Sequence, residues 1–177
     1  MDQLSGWLDI NSATGEWSVH EQPMVLVPRH FFVGIQQACE ARFGVATMQE
    51  VMHEATVKGA KIWCVREAKA LGISGRAVFE RYLSEVTRRG MGHFTIEQLE
   101  AGNAVIRLDR SAIASEYPQN SNRKVCYSFA SAIAGGLAYM LEQQNLSRPV
   151  EVRETQCLAA GDSCCRFFAN APDSRRA

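Results

Sequence analysis

The chain has 177 residues, and its 19 basic residues balance its 19 acidic residues to give no formal net charge. Hydrophobic residues make up 46% and charged residues 21%, which is typical of one globular domain and excludes collagen, coiled coil and intrinsic disorder. The even charge balance argues against the basic surface with which proteins bind nucleic acid. Because the net charge is zero, two copies of the chain do not repel each other through it, so self-association is not opposed.

The N-terminal segment predicts a short hairpin ahead of the main domain. It contains no basic run followed by an apolar segment, so we expect no secretory signal and a cytoplasmic protein. The segments WLDI and EWSVH flank NSATG, and this pattern predicts two short antiparallel strands. We therefore assign residues 1–24 to a hairpin extension, residues 25–170 to one compact domain and residues 171–177 to a polar tail.

Three helices are predicted next. The first begins at Pro28 and ends at Gly44. The second begins with the capping-box pattern of Thr47 and Glu50 and ends before Gly72. The apolar stripes of the first and third helices comprise Phe32, Ile35, Cys39 and Phe43, and then Phe79, Tyr82, Leu83 and Val86.

Beyond these helices the pattern changes to that of strands. HFTIEQLE and AVIRLDR predict one antiparallel pair, and VEVRETQ and CRFFA predict two further strands. Between the pairs, a largely uncharged helix is predicted over about residues 122–144, and its small residues favour close packing over a ligand cavity. Residues 125–141 are uncharged but only 17 in number, so we expect a buried helix and no membrane span. This order of elements predicts an α+β fold, one antiparallel sheet packed with helices.

The cysteines are the candidate chemical centre. Six cysteines in a cytoplasmic chain indicate free thiols or a metal site more than disulfides. Cys157 is separated by a tight turn between two strands from the adjacent pair Cys164 and Cys165. Cys126 near the start of the uncharged helix could supply a third sulfur. Zinc prefers about four ligands in a tetrahedron, so a carboxylate could complete such a site. From the residues alone, a metal site and three buried thiols both stay open. Basic neighbours in the sequence could offset the negative charge of the ligands: Arg123, Lys124, Arg153 and Arg166.

The same segment resembles a known family. The motif Glu-x-x-Cys-x-x-x-Gly-x-x-x-Cys, with an upstream cysteine on a helix of small residues, is similar to that of the 4-vinyl reductase domain family. The matching positions are Cys126, Glu154, Cys157, Gly161 and Cys165. Gly-Met-Gly at residues 90–92 resembles a Gly-aromatic-Gly segment of that family, with Met91 in place of the aromatic residue. The resemblance covers about residues 25–170.

This resemblance carries its own implications. It implies a sandwich fold related to the TRAPP tethering subunits and to heme nitric-oxide sensor domains, and a homodimer. In the phenol-sensing members of bacterial transcription activators, the matching residues bind one zinc ion beside an internal pocket for a small aromatic effector. The resemblance therefore implies a zinc cofactor held by Cys126, Glu154, Cys157 and Cys165.

Two details of this ligand set remain open. Cys164 and Cys165 are adjacent, so only one of them faces a metal from an extended strand, and the family spacing selects Cys165. Glu154 and Cys157 are three residues apart and lie on opposite faces of a regular strand. Cys157 must therefore lie where the strand has already bent; otherwise Cys164 or water completes the metal shell.

Four residues are candidates for contact with an aromatic or amine-like effector: Trp63, His93, Tyr127 and Phe129. Each also has an ordinary structural explanation. Trp63 fits a core position in its helix, and His93 at a strand edge fits a solvated position. Tyr127 and Phe129 point to different sides of their helix, so at most one of them faces a cavity beside the metal.

The absence of catalytic motifs shapes the functional expectation. The sequence contains no dinucleotide-binding motif, P-loop or nucleophile elbow, and no helix-turn-helix signature stands out. We expect a non-catalytic, zinc-stabilised, small-molecule-binding regulatory module that acts through a partner protein and contacts neither nucleic acid nor membrane. The alternatives are an assembly partner similar to the tethering subunits and, less favoured, a reductase or hydrolase, because three thiolates make zinc a poor Lewis acid.

Overall fold

The structure is a computed structural model, and it describes residues 7–100, 102–146 and 148–171. The predicted polar tail, apart from Ala171, and residues 1–6 of the predicted extension lie outside these ranges. The N-terminal sheet consists of β1 (Asp9–Asn11), β2 (Glu16–Val19) and β3 (Gln22–Met24). Helices follow at α1 (Arg29–Phe43), α2 (Val45–Leu71) and α3 (Arg76–Arg88). The remaining elements are β4 (His93–Glu100), β5 (Asn103–Asp109), α4 (Tyr127–Glu142), β6 (Glu151–Gln156) and β7 (Cys165–Asn170).

The main sheet has the strand order β4-β5-β7-β6, and every neighbouring pair is antiparallel. Its inner face contributes Ile106, Leu108 and Phe167, all fully buried, to a core that it shares with the helices. Alternation along β5 places every second side chain in this core and the others outside it. The predicted α+β fold, an antiparallel sheet packed with helices, is confirmed.

Glycine sets two of the predicted helix ends. α1 ends at Gly44 and α2 ends at Gly72, which adopts a left-handed conformation with φ of 64° that other residues rarely take. The predicted capping box is wrong, because α2 begins directly after Gly44 and Thr47 already lies inside the helix without a cap. The uncharged helix α4 is also shorter than predicted and begins at Tyr127.

The buried face of α1 differs from the predicted apolar stripe. Ile35 is 48% exposed and Phe43 is 59% exposed, whereas Gln36 and Glu40 are buried. These two polar side chains point inward because they bond groups of the segment that precedes α4. Partnered polar groups can therefore occupy the interior. Of the predicted stripe, Ile35 and Phe43 remain outside, whereas Phe32 packs against the core.

Helix α4 packs closely against two other helices through its paired glycines. A Cβ atom on Gly135 would lie 2.7 Å from the carbonyl oxygen of Val57 in α2. A Cβ atom on Gly136 would lie 2.9 Å from Cδ2 of Phe79 in α3. Both distances are shorter than carbon atoms tolerate, so the glycines serve close packing, as the small residues of this helix predicted.

Buried charges hold the N-terminal sheet on the helices. Glu67 of α2 and Glu85 of α3 are fully buried, and Arg81 forms ion pairs with both. His20, beside β2, lies 2.8 Å from Glu67, and the indole of Trp7 donates a hydrogen bond to Glu85. Because these carboxylates have partners, their burial is compatible with folding. Their bonds with Trp7 and His20 hold the N-terminal segment against α2 and α3.

None of the helices within residues 7–100, 102–146 and 148–171 combines the length and the hydropathy that a membrane-spanning segment requires. Helix α4 contains most of the uncharged segment that we considered as a membrane span. It has 16 residues and is almost entirely buried in the core.

Replacing Gly135 with alanine tests the contact between α4 and α2. We expect Gly135→Ala to lower the free energy of unfolding by about 1–3 kcal/mol, because backbone atoms of α2 must move to admit the methyl group. The matched control is Gly59→Ala, at a helical position with no atom within 4 Å of the added Cβ. It should raise stability by about 0.5–1 kcal/mol in urea denaturation. Equal stability of Gly135→Ala and the wild type would contradict the close contact.

Candidate metal centre and the groove beside it

Four side chains from distant parts of the sequence converge at one end of the main sheet. Cys126 immediately precedes α4, Glu154 lies in β6, Cys157 directly follows β6, and Cys165 begins β7. One ligand atom from each of the four lies within 4.8 Å of the others. The three cysteines are buried and Glu154 is half-buried. We call these four residues the thiol–carboxylate cluster; it could hold a metal ion.

A bulge in β6 brings Glu154 and Cys157 to the same side. The pairing of β6 with β7 shifts register between Glu154 and Gln156, so Thr155 is an extra residue in the strand. One extra residue reverses the alternation of side chains, and three positions then separate residues that face the same way. The bulge thus brings Cys157 to the side of Glu154 without the expected bend into the turn, since Cys157 itself keeps extended backbone angles of φ −145° and ψ 131°.

The turn between Cys157 and Cys165 is held by its own hydrogen bonds. Asp162 Oδ2 accepts a bond from the Cys157 backbone N–H at 2.7 Å. Gly161 has φ of +99°, and a Cβ atom there would lie 2.8 Å from Oδ1 of Asn120. Cys164 points away from the cluster, and its thiol lies 3.9 Å from the side-chain oxygen of Gln156.

The spacing of the donor atoms fits a tetrahedral metal ion. The sulfurs of Cys126 and Cys165 are 3.7 Å apart. Two thiolates on one tetrahedral zinc, each with a bond of about 2.3 Å, have sulfurs about 3.8 Å apart. Glu154 Oε2 accepts a bond from the Cys126 backbone N–H at 2.9 Å, whereas Oε1 is buried with no partner among the described residues. A buried carboxylate oxygen without a partner is costly, and a cation supplies that partner.

Crowding of acidic groups perturbs their protonation. Burial, followed by the neighbouring Cys157, raises the pKa of Glu154 to about 8. Hydrogen bonds from Cys126 and Cys165 hold the pKa of Cys157 far below its usual value. Hydrogen bonds of Cys126 with Cys157 and with Cys165 raise the pKa of Cys126. The bare cluster thus favours one thiolate among neutral neighbours, and a divalent cation allows further groups to ionise.

One of the four basic neighbours that the sequence suggested, Lys124, lies with Glu154 in a groove beside the cluster. The other three pair with different carboxylates: Arg123 with Glu40, Arg153 with Glu151, and Arg166 with Glu97. Local dipoles contribute as well. The N-terminus of α4 lies at Cys126, and the Leu158 backbone N–H donates to the Cys165 sulfur at 3.4 Å. Both stabilise negative charge on the sulfurs.

A polar network under α1 fixes the segment that carries Cys126. Gln36 Nε2 donates to the carbonyl of Val125 at 3.0 Å, and the Tyr127 hydroxyl donates to Glu40 Oε1 at 3.0 Å. Arg123 donates to the other oxygen of Glu40 at 2.8 Å. Although burial opposes its ionisation, hydrogen bonds from Arg123 and Tyr127 hold the pKa of Glu40 below its usual value. Sequence reasoning missed this network; its one local signal is the four-residue spacing of Gln36 and Glu40 on one helix face.

A groove of about 470 Å³ adjoins the cluster. It lies between α2, α4 and β6, and Glu154 belongs to both the groove and the cluster. His53 lines it and lies 3.2 Å from the hydroxyl of Ser131. Its full lining comprises Gln49, Glu50, His53, Lys124, Tyr127, Ala130, Ser131, Ala134, Val152 and Glu154.

The four candidate effector contacts lie in separate places. Tyr127 lines the groove, and His93 is exposed at a separate surface depression beside α3. Phe129 is buried with its ring edge against Phe94, at 5.4 Å between centroids. Trp63 is buried between helices, 5.2 Å from the ring of Tyr82. Their role in ligand binding stays a prediction.

Comparison with known proteins places the chain in a family. A family described as a domain of unknown function, DUF5943, matches residues 3–97, more than half of the chain. The chain belongs to the DUF5943 family. The match ends within β4, so the thiol–carboxylate cluster lies outside it. No curated protein matches the chain in sequence.

Solved structures show the same fold at low sequence identity. The phenol-responsive sensory domain of the transcription activator PoxR, solved with phenol, has a TM-score of 0.79 at 14% identity, over 95% of this chain and 86% of that one. A trafficking protein particle complex subunit 3 from Naegleria fowleri, covalently bound to palmitic acid, has a TM-score of 0.56 at 12% identity, over 82% and 95%. A vinyl-4-reductase family protein from Methanocaldococcus jannaschii has a TM-score of 0.56 at 14% identity, over 85% of each chain.

Substitution of single cysteines tests the cluster. We expect Cys157→Ser to lose bound divalent metal and to lower the free energy of unfolding by about 2–5 kcal/mol, because the last two strands lose their tie to α4. The matched control is Cys164→Ser, which removes a buried thiol seven residues away whose sulfur lies outside the cluster. It should keep the metal content of the wild type by mass spectrometry. Equal metal content in both variants would contradict the assignment of ligands.

Proposed function

We propose that this protein is a cytoplasmic, non-catalytic regulatory module, stabilised by one zinc ion, that binds a small molecule and reports it to a partner protein. In this proposal residues 25–170 form the effector-binding domain and residues 1–24 an extension of it. The observation that carries the proposal is Glu154, which lies both in the thiol–carboxylate cluster and in the wall of the adjoining groove.

Zinc is the metal that this donor set suits best. Thiolate ligands favour zinc over magnesium or calcium, and zinc accepts a tetrahedral shell of sulfur with one oxygen. Cys126, Cys157, Cys165 and Glu154 would hold the ion, with Glu154 Oε1 as the oxygen that has no other partner. Bound there, the ion would link α4 to β6 and β7.

The same donor set argues against catalysis at the metal. Four protein ligands close the shell, and catalytic zinc sites keep one position open for water or substrate. Three thiolates also donate enough charge to weaken zinc as a Lewis acid. Reductase or hydrolase chemistry is therefore the least favoured function.

The groove offers a site for the effector and a route for its signal. A ligand there would touch Tyr127 of α4, His53 of α2 and Glu154 of β6 together. Tyr127 also binds Glu40 of α1, so a displacement of Tyr127 would reach the helix whose outer face is apolar. The PoxR sensory domain, which shares this fold, was solved with phenol, and this likeness supports a small-molecule effector.

The outer face of α1 is apolar, and this supports a homodimer. The same observation makes an assembly role the second candidate function. Phe31 is 56% exposed, and Ile35 and Phe43 are similarly exposed on the same helix. Exposed large apolar residues that cluster on one element mark protein interaction sites. In the regulatory proposal a second copy of this chain covers this face. An assembly protein would instead use it for a different subunit, as expected from the fold shared with a trafficking complex subunit.

Thermal unfolding with a panel of phenol, other neutral aromatics and small amines tests ligand binding. An effector present at 100 times its Kd should stabilise the wild type by about 2.7 kcal/mol. Gln49 is exposed at the groove, so Gln49→Trp should block binding without disturbing the fold, and Gln49→Ala at the same position should preserve it.

Three results would each contradict the proposal. No compound stabilises the protein, Gln49→Trp binds the effector as tightly as the wild type does, or metal analysis finds no zinc in the purified protein. Light scattering on the same samples gives the molecular mass and so separates a monomer from a homodimer. A monomer that binds a different protein through the outer face of α1 would favour the assembly function.

A further inference from the structure

A buried hydroxyl group lies in contact with the thiol–carboxylate cluster. Ser111 is the second residue after β5, and it is fully buried. Its Oγ lies 3.2 Å from the sulfur of Cys126, fifteen positions later in the sequence. Ser111 belongs neither to the four residues of the cluster nor to the lining of the groove.

The turn after β5 holds this hydroxyl in place. Arg110 has φ of 55°, and this positive angle turns the chain out of the strand. The carbonyl of Ser111 accepts a bond from the Ser115 backbone N–H at 3.1 Å. Its Oγ accepts a second bond from the Ala114 backbone N–H at 3.1 Å. The position of Oγ is therefore set by its own turn and does not depend on the contact with Cys126.

The direction of the bond between Ser111 and Cys126 follows from the charge of a ligating sulfur. A cysteine that binds a metal is a thiolate, which has no proton to donate and can only accept. The Ser111 oxygen already accepts from Ala114, and its one proton has no acceptor other than Cys126 within the described ranges. The hydroxyl therefore donates to the thiolate, and a bond to an ionised acceptor is stronger than one between neutral groups.

We infer that Ser111 is a positioning residue of the metal centre, whose hydroxyl holds the Cys126 thiolate in place and raises the affinity of the cluster for zinc. The Leu158 backbone N–H, which donates to the sulfur of Cys165, supplies the corresponding bond from the main chain. Partners of this kind orient metal ligands and tune the metal. This inference rests on the proposed zinc site and adds to it a residue that is not itself a ligand.

Replacement of the hydroxyl tests its effect on affinity. Ser111→Ala keeps all four ligands, and we expect it to bind zinc about 10-fold or more weakly in competition with a chromophoric chelator on the full chain. The matched control is Ser115→Ala, which removes a hydroxyl from the same turn that donates to the Ala112 carbonyl at 3.3 Å. It should bind zinc within about 2-fold of the wild type. Wild-type affinity in Ser111→Ala would overturn the inference.

Cobalt(II) in place of zinc separates a bond to the sulfur from a general loosening of the fold. Thiolate-bound cobalt absorbs light by charge transfer from sulfur to metal. A hydrogen bond stabilises the sulfur electrons, so Ser111→Ala should shift this absorption to longer wavelength, whereas Ser115→Ala should keep the wild-type spectrum. Absorption of Ser111→Ala at the wild-type wavelength would show that the hydroxyl does not act on the ligand, even if the variant is less stable.

A conservative variant tests rescue. Ser111→Thr keeps the hydroxyl, so it should restore the wild-type wavelength and bind zinc more tightly than Ser111→Ala. Where the extra methyl group prevents folding at this buried position, the spectrum of Ser111→Ala decides the question.

The same measurements distinguish failure of this inference from failure of the proposed zinc site. Wild-type protein that binds neither zinc nor cobalt would refute the zinc site and the role of Ser111 together. Wild-type protein that binds both metals, with Ser111→Ala equal to it in affinity and spectrum, would refute the role of Ser111 alone. Ser111→Ala also leaves the Ala114 N–H without its partner, and the Tm of the metal-free proteins measures that structural cost separately.

Discussion

The convergence of three thiols and one carboxylate on a single point constrains the rest of this structure. These groups repel one another when ionised and lose hydration when buried, so a cation among them would lower the free-energy cost of their proximity. Cys126, Glu154, Cys157 and Cys165 come from the start of α4 and from both edges of the β6–β7 turn. A metal ion at this point would fix both the register of β6 and β7 and the position of the start of α4.

Other features of the fold support the same positions. Gly135 and Gly136 let α4 lie close against α2 and α3, and this contact sets the position of the helix end that carries Cys126. The network of Gln36 and Glu40 holds the preceding segment against α1. The groove therefore lies between elements that are tied on both sides, and a ligand within it would act on α1, α2, α4 and β6 together.

The sequence predicted the features that depend on local rules. Gly72 ends α2 because a left-handed residue is required there, and the strands follow from alternation with period two. The sequence left open whether Cys157 lies on the side of Glu154, because the bulge at Thr155 that brings them together is a feature of the pairing with β7. The buried face of α1 was not, because Gln36 and Glu40 point inward to meet groups about eighty positions later in the chain. The contact between the Trp63 ring of α2 and the guanidinium of Arg89, the residue after α3, likewise has no local signal.

The most direct test of the central claim is X-ray absorption at the zinc edge on protein purified without a metal-affinity tag. The account predicts about one zinc per chain, with three sulfur ligands at about 2.3 Å and one oxygen at about 2.0–2.2 Å. In Cys157→Ser this sulfur-rich shell should be lost. A shell of nitrogen and oxygen alone, or protein that folds fully with no metal and three titratable thiols at these positions, would contradict it.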